Sequence, residues 1–317
     1  TGFPVAGTPQ AQTLAQLRQG AQDRNLALIA RVNATLPDIA LDYAADVLPL
    51  TPKGVATERH IIRAYCTRSR TAFPDPAARA AFWSPLLKCE PSAFAAIETN
   101  VPKFEDLVRN ALAKRGGIGY IQPDEKTFPI ADDFIRWVRS CGAIPTVAWL
   151  DGTSGGEADA DRLLDLMAGK GCAALNIIPD RNWNLKDAQE AARKQAKLDE
   201  IVTGCVKRDI PVNIGTEMNK GGLPFVDDLA GPVLSRHKAV FTQGMRLMVG
   251  QTLLGVYAHA PYLGERAISE FKDIKKRIAF YASVGALPPL TNERADELLE
   301  AGSEKAFAIL ADAARHA

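Results

Sequence analysis

Three short apolar runs constrain this chain more than anything else in it. Ala143-Ile144-Pro145-Thr146-Val147-Ala148-Trp149, Ala173-Ala174-Leu175-Asn176-Ile177-Ile178 and Ile210-Pro211-Val212-Asn213-Ile214 have the length and bounding residues of buried strands, and each stops abruptly in polar or glycine residues. Helix-length stretches, from Glu157 to Lys170 and from about Leu185 to Arg208, lie between them. Strands alternating with helices of ten or more residues specify a parallel sheet with right-handed crossovers. Ile118-Gly119-Tyr120-Ile121, followed by a helix from about Ile130 to Cys141, reads as an earlier strand and makes four βα units. That is half a barrel, and two arrangements satisfy it. Either the sheet is open and doubly wound, or further strands precede Thr1, with Thr1-Gly2-Phe3-Pro4-Val5 as the tail of one of them.

The first third has a different grammar. Leu14, Leu17, Ala21, Leu26, Ile29 and Val32 recur at helical spacing, and Leu36-Pro37 ends the pattern. A helical stretch near Ile39 to Asp46 follows, then a turn at Thr51-Pro52-Lys53-Gly54 and a helix carrying His60 behind Thr57 as its N-cap. Phe104 to Arg115 is helical again, and no strand is expected between Thr8 and Arg115. The expected division is a mainly helical subdomain or insertion over 1–115 and a βα-barrel part with C-terminal helices over 116–317. Beyond Gly231 the long helical segments are Val240 to Leu254, Glu265 to Val284 and Asn292 to Ala314.

Composition narrows the partners. A net charge of +1 over 317 residues argues against nucleic acid and membrane surfaces, both of which need a concentrated basic face. No run approaches the roughly 18 apolar residues of a membrane span, and no export signal opens the chain. The five cysteines are widely spaced, odd in number and without a Cys-x-x-Cys pair, which fits buried thiols in a reducing cytoplasm.

Ligands in α/β folds bind at the carboxyl ends of the strands. Those ends carry Gln122 and Asp124, Trp149 and Asp151, Asp180 with Arg181 and Asn182, and Glu217 with Asn219. Carboxylates, amides and a guanidinium on one rim suit a hard cation or a phosphorylated or polyhydroxylated molecule. Gly152-Thr153-Ser154-Gly155-Gly156 also satisfies the Gly-x-Ser-x-Gly pattern of a nucleophile elbow, with Asp227 or Asp228 and His237 or His259 following in triad order. The acidic run Glu157, Asp159 and Asp161 behind Ser154 suits a helix N-terminus better than an activated serine, so an N-cap at Ser154 or Thr153 is the expected role. Among four histidines there is no His-x-His or His-x-x-x-His pair to seed a zinc site, and His60 is the one of interest.

Order and local motifs together resemble the PHP (polymerase and histidinol phosphatase) family over most of residues 1–225. Gly54-Val55-Ala56-Thr57-Glu58-Arg59-His60-Ile61-Ile62-Arg63-Ala64 is similar to the family's Arg-Pro-His-Ile-Ala-Arg-Ala segment, and Phe134 to Trp149 tracks its helix, glycine turn, strand and Ala-His-Pro run. Ile214-Gly215-Thr216-Glu217-Met218-Asn219 falls where the family has Gly-Ser-Asp-Phe-His. The resemblance implies a distorted TIM-like (β/α)7 barrel with a helical insertion, hydrolysing phosphate esters with divalent metal: manganese, zinc or iron. Glu217 and Asn219 then stand at metal-ligand positions. Together with the rim residues this makes Glu217, Asp151 and Arg181 the catalytic candidates and Trp149, Asp180, Asn182 and His60 the ligand-binding ones. The departures bear on chemistry, because Trp149 replaces a family histidine and Asn219 another, and Trp cannot ligate metal. Two readings follow: a reduced metal site serving hydrolysis, or a binding module in which Trp149 is a stacking platform for a sugar or base. A serine hydrolase built on Ser154 is the third.

Overall fold

The computed structural model describes residues 4–52, 54–125, 127–218, 223 and 225–316. The chain divides into two compact units, Ala11–Ile130 and Ala131–Ala317 together with Thr1–Gln10.

The first unit is helical. Its elements are α1 (Pro9–Thr35, all but its first two residues), α2 (Glu58–Ala72), α3 (Pro76–Leu87), α4 (Pro91–Thr99) and α5 (Val101–Leu112). Where a helix was expected near Ile39 to Asp46, the chain makes short turns instead: a 3-10 turn at Pro37–Ile39, a π turn at Tyr43–Val47 and another 3-10 turn at Leu48–Leu50. Pro37 and Pro49 fix the two 3-10 turns. The core is aromatic, with Trp83 and Phe94 each edge-on to Phe104 at 5.7 Å.

The strand expected at Ile118–Ile121 does not form. The N–H groups of Ile118 and Gly119 instead fold back onto the carbonyls of Ala111 and Leu112, capping α5. Gly119 allows the fold-back, since a Cβ there would lie 2.4 Å from the Leu28 side chain and 3.0 Å from the Leu112 carbonyl. Gln122 and Asp124 therefore belong to this unit and not to a strand end, and Asp124 closes a turn by accepting the Thr127 N–H.

The second unit runs α6 (Ala131–Ser140), β1 (Thr146–Trp149), α7 (Ala160–Gly169), β2 (Ala174–Ile177), α8 (Asp180–Trp183), α9 (Ala188–Lys207), β3 (Val212–Ile214), α10 (Lys238–Tyr257), α11 (Glu265–Glu270), α12 (Ile274–Val284), α13 (Asn292–Ala301) and α14 (Ser303–Arg315). It is a mixed α/β unit around a parallel sheet of order β1-β2-β3, in register Val147↔Leu175↔Val212. Among the described residues the sheet has three strands, not four, and is open. Leu175 and Ile177 on the central strand are wholly buried, packed with Leu164, Leu198 and Ile201 from α7 and α9. Asp159 and Asp187 cap α7 and α9 by accepting the N–H groups of Arg162 and Glu190.

Glycines set the packing of α10. A Cβ at Gly244 would fall 2.0 Å from the Val212 carbonyl oxygen, and one at Gly250 would fall 1.9 Å from that of Tyr281. The helix thus lies against both β3 and α12 at backbone distance. The last two expected helices are each broken in two. Asp273 starts α12 afresh by accepting the Lys275 N–H, and Gly302, at φ +77°, turns the chain between α13 and α14.

All five cysteines are free, and burial pushes the thiols of Cys66 and Cys205 up to about 12, far from a thiolate at neutral pH. Among the described residues no helix is long and apolar enough to cross a membrane.

Candidate functional site at the strand ends

Each strand ends in a short polar segment, and side-chain bonds tie the three segments together. After β1 the backbone turns through Leu150, Asp151 and Gly152, whose N–H groups all donate to the Glu157 carboxylate at 3.0, 3.2 and 3.1 Å. Gly152 accommodates the turn at φ +71°. Asp151 accepts from the Thr153 N–H at 3.0 Å and from its hydroxyl, and pairs with Lys194 of α9 at 3.1 Å. Burial raises the Asp151 pKa, but the Thr153 and Lys194 bonds outweigh it and hold the carboxyl below its ordinary value. Lys194 is raised in turn by Glu190, 2.9 Å away, and by Asp151, against the opposing effect of burial.

After β2 the chain makes the single turn of α8. Asp180 accepts from the Asn184 side chain at 2.8 Å, a local bond. Arg181 reaches across to Glu217 beyond β3, its Nη2 lying 3.2 and 3.1 Å from the two carboxylate oxygens. Asn182 is fully buried and donates to the Lys194 carbonyl at 3.3 Å. Trp183 Nε1 donates to Asp227 at 2.8 Å, and the Thr216 hydroxyl donates to the other oxygen of Asp227 at 2.7 Å. Asp227, 5% exposed, thereby fastens the segment after β3 to α8. Buried polar atoms remain at this rim with no hydrogen-bond partner among the described residues: Asn182 Oδ1, Arg181 Nε and Trp149 Nε1.

The structure brings Arg181 and Glu217 into contact and connects Asp151 and Asn182 through Lys194. Other expectations are corrected. Trp149 is 1% exposed and lies in the sheet's core, so no face of its ring is available for stacking. His60 sits in the helical unit at the first turn of α2, where its Nδ1 accepts the Thr57 N–H at 3.0 Å, a capping role. Asn219 lies outside the described residues.

Neither Ser154 nor Thr153 caps α7, because the turn at Ser154 ends before the helix and Asp159 takes the cap. Nor does an elbow form at Ser154. Ten residues, Leu150 to Asp159, separate the end of β1 from the start of α7. Among the described residues no hydrogen bond joins the serine to a histidine. His237 pairs instead with Asp199 at 2.7 Å.

Sequence reasoning missed Lys194 and Trp183. Lys194 lies four residues after Glu190 on a helix and carries the mark of an ordinary solvated pair. Trp183 falls in what read as a loop.

The donor set does not fit a metal centre. The carboxylates of Asp151, Asp227 and Glu217 are engaged by Thr153 and Lys194, by Trp183 and Thr216, and by Arg181. No group of three or more His, Cys, Asp or Glu side chains able to hold an ion occurs among the described residues. The arrangement suits recognition of an anion: a fork-shaped guanidinium at the mouth of the rim, with its carboxylate partner on the neighbouring strand end. Comparison with protein-family models, curated proteins and solved structures finds no match to this chain.

Proposed function

We propose that this chain is a PHP-like hydrolase module that takes a phosphate ester at the carboxyl ends of β1–β3. The observation that carries the reading is the Arg181–Glu217 pair, which spans the ends of two adjacent parallel strands. A guanidinium presents paired N–H donors that match two phosphate oxygens, and here one of its nitrogens, Nη2, already holds both oxygens of a carboxylate. An incoming phosphate exchanges for Glu217 on Arg181. Displaced from Arg181, the Glu217 carboxylate lies beside the bound ester and accepts a proton from water as that water attacks phosphorus; the ester P–O bond breaks and the departing alkoxide takes that proton from Glu217 to leave as the alcohol. Lys194 holds Asp151 and, through its carbonyl, Asn182, and so keeps the rim in shape. The rim carboxylates are engaged by Thr153, Lys194, Trp183, Thr216 and Arg181, which leaves the divalent metal implied by the resemblance without a ligand set among the described residues.

The second reading keeps the ligand class, a phosphorylated or polyhydroxylated molecule, without turnover. It is favoured by the same pair, in which the charge of Glu217 is spent on Arg181. Calorimetric titration with inorganic phosphate, alongside hydrolysis of p-nitrophenyl phosphate with and without manganese, separates the two. Phosphate is expected to bind and Arg181→Met to abolish binding. Glu217→Gln is expected to retain binding while turnover falls about 10²–10⁴-fold. Phosphate binding unchanged in Arg181→Met removes the site. Turnover unchanged in Glu217→Gln removes that residue from the chemistry, and binding without turnover in the parent chain selects the second reading.

A further inference from the structure

Beside β3, on the exposed face of α10, lies a cavity of about 600 Å³ that none of the rim residues above lines. Its volume suits a small organic ligand. Ile214, Phe241, Met245, Met248, Val249 and Leu253 make its wall, and Met245 and Val249 are 54% and 42% exposed. Lys238, Thr242, Met245, Val249 and Thr252 recur at alternating spacings of four and three, forming one stripe along α10. At the helical rise that stripe is about 20 Å long, so the cavity is a groove. Two of the four methionines of the chain lie in it, and methionine walls adapt to irregular apolar guests.

Addition of a further strand to β3 does not account for the groove. α10 already closes that edge where Gly244 meets the Val212 carbonyl. A lipid bilayer does not fit either, since surface binding draws on clusters of basic residues. Among the described lining residues Lys238 is the one charge, and it makes no ion pair with any described residue. An apolar groove with a single unpaired cation at one end is complementary to a single-chain amphiphile with an anionic head.

We propose that the groove binds a free fatty carboxylate, its chain along Met245, Met248, Val249 and Leu253 and its carboxylate on the Lys238 ammonium. Burying the chain supplies the affinity, and the ion pair sets its direction. The test is calorimetric titration of the full chain with decanoate and with decan-1-ol, below their aggregation limits, plus sedimentation with phosphatidylserine vesicles. Saturable binding of one decanoate per chain is expected. Lys238→Met should weaken decanoate about tenfold and leave decan-1-ol within about twofold. Val249→Asp and Met245→Asp, both at exposed positions, should abolish binding of both probes without changing the far-UV circular dichroism. The proposal is overturned if decanoate does not saturate, if Lys238→Met weakens acid and alcohol alike, if both aspartate variants still bind, or if the chain sediments with vesicles without binding monomeric decanoate.

Discussion

The two units each bury a tryptophan whose indole N–H is out of reach of water, and they treat it differently. In the helical unit Trp83 Nε1 donates to the Ser69 hydroxyl at 3.0 Å, and that hydroxyl donates onward to the Cys66 carbonyl. In the α/β unit Trp149 Nε1 has no partner among the described residues, and Asn182 Oδ1 and Arg181 Nε share that condition at the same rim. Both units tie helix to helix with ion pairs: Glu98 joins Arg70 and Arg79, and Glu58 joins Arg109 and Lys114, in the one, and Arg208 at the end of α9 joins Asp161 and Asp165 of α7 in the other. In the α/β unit Arg181–Glu217 and Lys194–Asp151 add pairs at the strand ends. Among the described residues the Ser84 hydroxyl in the helical unit, and the Tyr262 hydroxyl and Arg277 Nε away from the rim, also lack a hydrogen-bond partner. What sets the rim apart is that three such atoms gather in one place, a cost of folding that a ligand can offset.

Glycine substitutions probe the contrast with the largest expected effect. In a helix interior Gly→Ala ordinarily stabilises by about 1 kcal/mol, and Gly20→Ala on α1, with only the tip of Arg24 near the added carbon, should do so. Gly250→Ala should invert the sign, because its Cβ would meet the Tyr281 carbonyl at 1.9 Å. The expected loss is about 3 kcal/mol or more by chemical denaturation. A neutral Gly250→Ala would show that α10 and α12 do not pack at backbone distance.

The three strands were legible because buried parallel strands need continuous apolar runs, and Val147, Leu175 and Val212 supply them. Ile118-Gly119-Tyr120-Ile121 has the same look for another reason: those residues fold back over the end of α5, and nothing local separates the two uses. The polar rim was legible in part. Arg181 and Glu217 stood out at strand ends, whereas Lys194 enters from the middle of α9, an approach that only the tertiary packing creates. The family resemblance led toward Trp149 as a recognition surface. Its burial beneath the Gly152 turn makes it a core residue instead.

Paired Trp→Phe substitutions sharpen the tryptophan contrast. Trp83→Phe removes volume and a buried hydrogen bond, with an expected cost of about 2–3 kcal/mol. Trp149→Phe removes comparable volume but also an unpaired N–H, whose burial is itself unfavourable by about 1–3 kcal/mol, so its net cost should be under about 1 kcal/mol. Equal losses in denaturant midpoint would erase the distinction between a satisfied and an unsatisfied indole.

The smallest effect compares one carboxylate from each unit. Burial raises the Glu58 pKa, but its bonds to Lys114 and Arg109 outweigh that and hold it below its ordinary 4.5; Asp151 is likewise held below its ordinary 3.8. A carboxylate with a depressed folded-state pKa contributes stability that is complete above the unfolded value and lost as pH falls through the folded value. Glu58→Gln should therefore be less stable than the parent chain at pH 7, with the gap closing as pH drops below 4.5. For Asp151→Asn the gap should stay open to lower pH and begin to close only below 3.8. Denaturant midpoints measured from pH 7 down to the acid limit give both curves. A Glu58→Gln penalty that is constant throughout would mean that packing, and not the charge shared with Arg109 and Lys114, makes that residue matter to the helical unit.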